Sequence, residues 1–349
     1  MNAHSPFILT VGSLWLGLST TNAVNIVLDF VPSNNLFSGN ATARAAVSQA
    51  ASDISAALTN SLSPLATDTY TGTNGANSST VDWRLQYTQP NSGNAVTLEN
   101  PHSSPGFGLD EIKIYVGGRD LGGNTLGQGG PGGIGFNLGG TIGPGSFADA
   151  VDQMEALSDA AMLRGSGPVL YVQSTTFNGE DVTLQSGIFV GNLWFDTDTD
   201  NDGNTDSAAE LGLSWHYDHT IGVAGGKIDL YTVALHEILH AIGFGIGESW
   251  NSQVSGNEWT GMEANSVYEG LGAVPIDGGH LAAGTMSTSI VDGSTQEAVM
   301  GPTLSAGQRK TLTELDLAIL RDLGYETIPE PSSLSLCALG LLAVFRRRK

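Results

Sequence analysis

The chain has 349 residues, 40% of them hydrophobic, so it can bury a core as one large domain or two modest ones. Only 13 Lys and Arg face 35 Asp and Glu, a formal charge of -22, which excludes a nucleic-acid binder that works by displacing phosphate counterions. The same acidic balance favours solubility and divalent cations.

In chain order, residues 8–18 form an apolar stretch too short to span a bilayer, and Thr21-Asn22-Ala23 fits a small-residue cleavage site. Residues 1–23 therefore read as a secretory signal, with Val24 as the first mature residue. The competing reading is a buried first element, because the segment before it carries no Lys or Arg. Residues 24–31 alternate and are β-branched, as a strand requires. Residues 41–62 are Ala-rich, lack Pro and Gly, and predict a helix. Residues 81–88 and 111–116 predict strands. Residues 117–145 hold too much glycine for a packed helix and no Gly-Lys-Ser/Thr phosphate loop, which leaves turns around an edge strand. A helix is expected over 147–163, and strands over 168–172 and 187–195. The final helix is expected over 313–323, capped by Thr313 and stopped by Gly324.

Between the last strand and the next helix, Asp196 to Asp206 places hard oxygen ligands at alternate positions. Asp198, Asp200, Asp202 and Asp206 are candidate calcium ligands, with Gly203 at the turn. A solvated acidic turn is the alternative. Ala209 stands where an EF-hand needs its terminal acid, so the loop is not a true EF-hand. His216-Tyr217-Asp218-His219 reads as a polar loop or, less simply, as part of a second, structural zinc site.

The strongest chemical signal is His236-Glu237-Ile238-Leu239-His240, set among Leu230, Val233, Ala234 and Ala241 with no Pro. On a helix its two histidines lie about 40° apart around the axis and roughly 6 Å apart along it, so both reach one ion. Glu237 flanks the same ion and can serve as general base toward a metal-activated water. Gly243, three residues after His240, lets the chain turn sharply there.

His-Glu-x-x-His-x-x-Gly resembles the metzincin zinc proteases. The resemblance implies an α+β zincin domain over residues 24–326, with a twisted mixed sheet, a catalytic helix and a C-terminal subdomain carrying a Met-turn. In the commonest form of that motif the third ligand falls at the position of Ile246, which cannot bind zinc. The leishmanolysin-like branch delays its third histidine, and Asp277-Gly278-Gly279-His280 followed by Val299-Met300-Gly301-Pro302 is similar to that arrangement. This implies His280 as third ligand and Met300 as the Met-turn. An exposed loop histidine and a plain core methionine are the bland readings of the two. The other histidines are His4, His102, His216 and His219. A gluzincin-like scheme would use Glu258 or Glu263 instead.

At the other end, Pro329-Glu330-Pro331 precedes an apolar run over 334–345, and Arg346, Arg347, Arg348 and Lys349 close the chain. Residues 327–349 resemble the PEP-CTERM sorting signal, which implies transient membrane anchoring, recognition by an exosortase-type enzyme and delivery to the cell surface or exterior. The single cysteine, Cys337, lies in this tail, so the body has neither a disulfide nor a thiol nucleophile. The function expected is zinc endopeptidase activity outside the cell on protein or peptide substrates. The contrasting expectation is a non-catalytic surface or matrix protein on a zincin fold, stabilised by calcium.

Overall fold

The computed structural model describes residues 24–31, 35–65, 69–98 and 106–328. The expected signal segment, His102 and the Pro-Glu-Pro tail lie outside the described residues.

The strand predicted at the start forms over Asn25–Phe30. It pairs in parallel with Glu111–Arg119, which pairs in parallel with Val190–Asp196, and Gly127–Pro131 closes the sheet in the antiparallel sense. Val190–Asp196 is buried at every position, as a strand covered on both faces should be.

Helix α1, Ala41–Ala57, is capped by the Asn40 side chain and buries Ala43, Ala46, Val47, Ala50 and Ile54. It stops short of residue 62 because Leu58 turns extended and bridges Thr327, while the Asn60 side chain accepts from Glu326 N–H. Helix α2, Phe147–Met162, begins at a Ser146 cap. It packs on a second sheet in which Asn77–Thr88 is flanked by Thr69–Asn74, Ala95–Thr97 and Gly133–Thr141. The glycine-rich stretch expected as turns around one edge strand thus holds two strands. Gly127–Pro131 is the edge strand, and Gly133–Thr141 pairs along its whole length with residues of Asn77–Thr88. The hairpin Tyr171–Phe177 and Glu180–Ser186 completes this second layer.

Helices α3 (Ala208–Ser214) and α4 (Leu230–Ala241) follow, then α5 (Glu248–Asn251) and α6 (Met262–Val267). Helix α4 lies between α1 and the strand Gly127–Pro131. The remaining chain runs through short hairpins to α7, Glu314–Leu323, which packs on α6. Thr313 and Asp316 form a capping box at its start, and Gly324, with φ of 109°, ends it as expected. The chain is α+β, with seven helices among the described residues. No described helix is long and apolar enough to cross a membrane.

One core gathers the first sheet, α1, α4 and α7. A smaller core lies between the second sheet, α2 and the hairpin.

Candidate metal centre and its cleft

Helix α4 is held at its N-terminus by Asp229, which is fully buried and accepts from the backbone N–H of Thr232 at 3.2 Å and its hydroxyl at 2.8 Å. Arg309 grips the same carboxylate with Nε at 2.9 Å and Nη2 at 2.7 Å. The helix ends where predicted. Gly243 adopts φ of 110°, and a Cβ there would lie 2.8 Å from Leu170 Cδ2.

His236 and His240 project from one side of α4, and His280 reaches them from the hairpin Ile276–Asp277 and His280–Leu281. Nε2 of His240 lies 3.1 Å from Nε2 of His236 and 3.1 Å from Nε2 of His280. Nδ1 of His236 donates to the Val299 carbonyl at 2.9 Å, and Nδ1 of His240 donates to the Phe244 carbonyl at 2.8 Å. A carbonyl only accepts, so both Nδ1 atoms carry the proton and a neutral ring presents a bare lone pair at Nε2. Burial holds His236 well below its ordinary pKa and lowers His240 to about 4, so both rings are neutral near pH 7. Burial also lowers His280, with Asp277 opposing.

Two bare lone pairs 3.1 Å apart repel unless a cation lies between them. Tetrahedral bonds of about 2.0–2.1 Å put ligand nitrogens roughly 3.3 Å apart, so the donor set fits zinc in spacing and in chemistry.

Glu237 is buried beneath the edge strand, where Gly129 N–H donates to its carboxylate. Burial raises it to about 8, against that hydrogen bond. Gly129 has no room for a side chain: a Cβ would sit 2.1 Å from the Glu237 carbonyl oxygen. Strand and helix backbone are thus in direct contact over the acid. A cleft of about 560 Å3 opens on one side of His236, Glu237 and His280, walled by Leu126, Val233, Val299 and Leu304. A smaller one of about 290 Å3 also borders these three residues, against Gln128, Gly129 and Ile246.

Met300 is fully buried. Its carbonyl accepts from Leu281 N–H at 3.0 Å, so the segment that holds His236 through Val299 also ties down the strand of His280. Glu258 and Glu263 stand apart from the three imidazoles. Glu258 is exposed, and Glu263 pairs with Arg321 at 3.2 Å.

In the acidic loop, carboxylate oxygens of Asp198, Asp200 and Asp206 lie within 4.8 Å of one another. Asp202 does not join them. It is exposed, and its carboxylate accepts from Asn204 at the backbone, 2.8 Å, and at Nδ2, 3.0 Å. The expected four-carboxylate set is therefore a trio, because Asp202 caps its own turn instead.

His216 Nε2 contacts the Asp218 carbonyl at 2.9 Å, and the Asp218 carboxylate accepts from Thr220. Arg309 donates to the carbonyls of Asp218, His219 and Ile221, so His216 to His219 belong to the loop that Arg309 clamps to α4. They form no metal-holding group with other described residues.

Sequence reading missed three groups here: Gly129, Arg309 and Asp316, whose buried carboxylate accepts from the backbone N–H groups of Val299 and Met300. Asp229-Leu230-Tyr231-Thr232 and Thr313-Glu314-Leu315-Asp316 carry visible capping patterns, whereas nothing in the sequence brings Arg309 to Asp229 or Gly129 to Glu237.

Residues 327–349 match the PEP-CTERM protein-sorting motif. This motif implies recognition by an exosortase-type processing enzyme and marks the protein as exported and processed for the cell surface or exterior. No curated protein and no solved structure matches the chain.

Proposed function

We propose that the protein is an extracellular zinc-dependent endopeptidase of the metzincin kind, closest in plan to the leishmanolysin-like branch. The observation that carries this reading is the convergence of three Nε2 atoms, two with their tautomers fixed by carbonyls, beside a buried carboxylate that borders a cleft. His236, His240 and His280 hold the metal, and Met300 lies in the Met-turn. The interval of 40 residues between His240 and His280 agrees with a delayed third ligand.

Bound zinc supplies Lewis acidity, which makes water acidic near neutral pH and polarises a scissile carbonyl. With the metal in place, Glu237 would be the group placed to accept a proton as general base and return it to the departing amine. The edge strand Gly127–Pro131 lies against the cleft, where an extended peptide can add as a further strand.

Metal analysis of the purified body tests the reading. One zinc per chain is expected, with hydrolysis of an unfolded protein that chelation abolishes and zinc restores. A chain that takes up no zinc sinks it. The trio Asp198, Asp200 and Asp206 supports a structural calcium as a companion proposal. It also keeps the second reading in view, a calcium-stabilised surface protein without hydrolytic activity, which predicts thermal stabilisation by calcium and no turnover.

A further inference from the structure

The carbonyl that holds His236 is itself held. Val299 C=O belongs to the same peptide unit as Met300 N–H, and that N–H donates to Asp316 Oδ1 at 3.3 Å. The adjacent N–H, of Val299, donates to Asp316 Oδ2 at 3.1 Å. Thr313 supplies the other contacts, its backbone N–H at 3.0 Å and its hydroxyl at 2.7 Å from Oδ2. Asp316 is completely shielded from solvent. Its partners present N–H groups and a hydroxyl, so the side chain serves as an acceptor with both oxygens, and these hydrogen bonds oppose the upward push of burial on its pKa.

Capping α7 accounts only for the Thr313 contacts. The two N–H groups come from 17 and 16 residues away and contribute nothing to the helix end. What they do is fasten the peptide that orients a metal ligand. An acceptor at the N–H end of a peptide increases the electron density on its carbonyl oxygen, because hydrogen bonds in series polarise one another. The Val299 carbonyl then holds the His236 Nδ1–H more strongly, which fixes the ring and raises the basicity of Nε2.

We infer that Asp316 is a positioning residue for His236, joined to it through the Val299–Met300 peptide as a carboxylate–peptide–histidine relay. The inference rests on the zinc reading above. His240 provides an internal contrast, since its Nδ1–H goes to the Phe244 carbonyl at the end of its own helix.

The test compares Asp316→Asn with Thr313→Ala in the full chain. Zinc affinity is read by competition with a chromophoric chelator, and ligand geometry from the visible spectrum of the cobalt-loaded protein. D316N should lose roughly 10- to 100-fold in zinc affinity, the usual cost of removing a group that orients a ligand. It should also shift the cobalt spectrum. T313A removes the cap but spares the peptide, so it should lower the melting temperature with zinc affinity changed by less than about threefold. Wild-type affinity in D316N overturns the inference, and so does an equal loss in T313A, which would make the effect one of helix capping. If D316N is not recovered folded, amide exchange in the wild type decides: zinc loading should slow exchange at Met300, and an unchanged rate overturns the relay. Should the wild type itself bind no zinc, the zinc reading fails first and the relay with it, an outcome distinct from failure in the variant alone.

Discussion

Glu237 is a carboxylate placed where ionisation is costly, and this gives it two opposed effects. Its proton affinity rises from the ordinary 4.5 to about 8 on burial, so the folded chain binds more protons than the unfolded one between those values. Stability of the metal-free protein must therefore fall as pH rises through that window. Glu237→Gln removes the ionisation, so metal-free E237Q should melt above wild type at pH 8, with the gap closing near pH 4. Calorimetry in chelator across that range checks the sign. The same variant leaves the imidazoles untouched. On the proposed zinc reading it should still bind zinc yet lose roughly two to four orders of magnitude in the hydrolysis rate of an unfolded protein, the worth of a general base. On the same reading, His280→Ala should lower zinc affinity and abolish activity, while Glu258→Ala changes neither. Zinc titration of the two variants separates these outcomes.

Helix α4 owes its setting to groups far from it in sequence, and the ion pair at its start is the most exposed to test. Asp229 is buried beside the partly exposed Arg309. Arg309→Ala leaves that anion without its cation and should cost about 3–5 kcal/mol in urea unfolding. Adding Asp229→Asn should recover part of the loss. The acidic loop supplies a second test. Calcium should raise the melting temperature by mass action on the folded state, and Asp198→Asn with Asp200→Asn should shrink that increment. Asp202→Asn should not, since Asp202 faces Asn204. A melting temperature indifferent to calcium in the wild type leaves a solvated turn. These elements also mark where the sequence was readable. The spacing of His236 and His240, the stop at Gly243 and the Thr313 cap are local patterns, and each appears where the chain predicts it. Gly133–Thr141 did carry a strand signal, Ile134, Phe136 and Leu138 alternating with Gly133, Gly135 and Asn137, but its glycine content masked that signal and its partner Asn77–Thr88 is distant in the chain. The early end of α1 had the same origin, a bridge from Leu58 to the distant Thr327 that local propensity cannot foresee. Asp202 misled for the opposite reason: the ligand pattern is local, but so is the turn that uses its carboxylate.

At the scale of the whole molecule, an acidic body joins a basic sorting tail. Export with processing should leave a mature protein without the residues after roughly Pro331. Intact-mass measurement on native material checks this, and a C-terminus still at Lys349 counts against it. The body has a seam. Only Gly132 separates Gly127–Pro131, an edge of the first sheet, from Gly133–Thr141 in the second. The segment after Gly132 finds its partner earlier in the chain, in Asn77–Thr88, but the segment before it must wait for Val190–Asp196. Synthesis runs from N- to C-terminus, so the second sheet can pair while the wall over Glu237 is still unsupported. His280 and then Asp316 arrive later still. The nascent chain can therefore fold much of its mass before it can hold three imidazoles around one point. Assembly order follows the chain: the three-histidine cluster is the last part of the molecule to be finished.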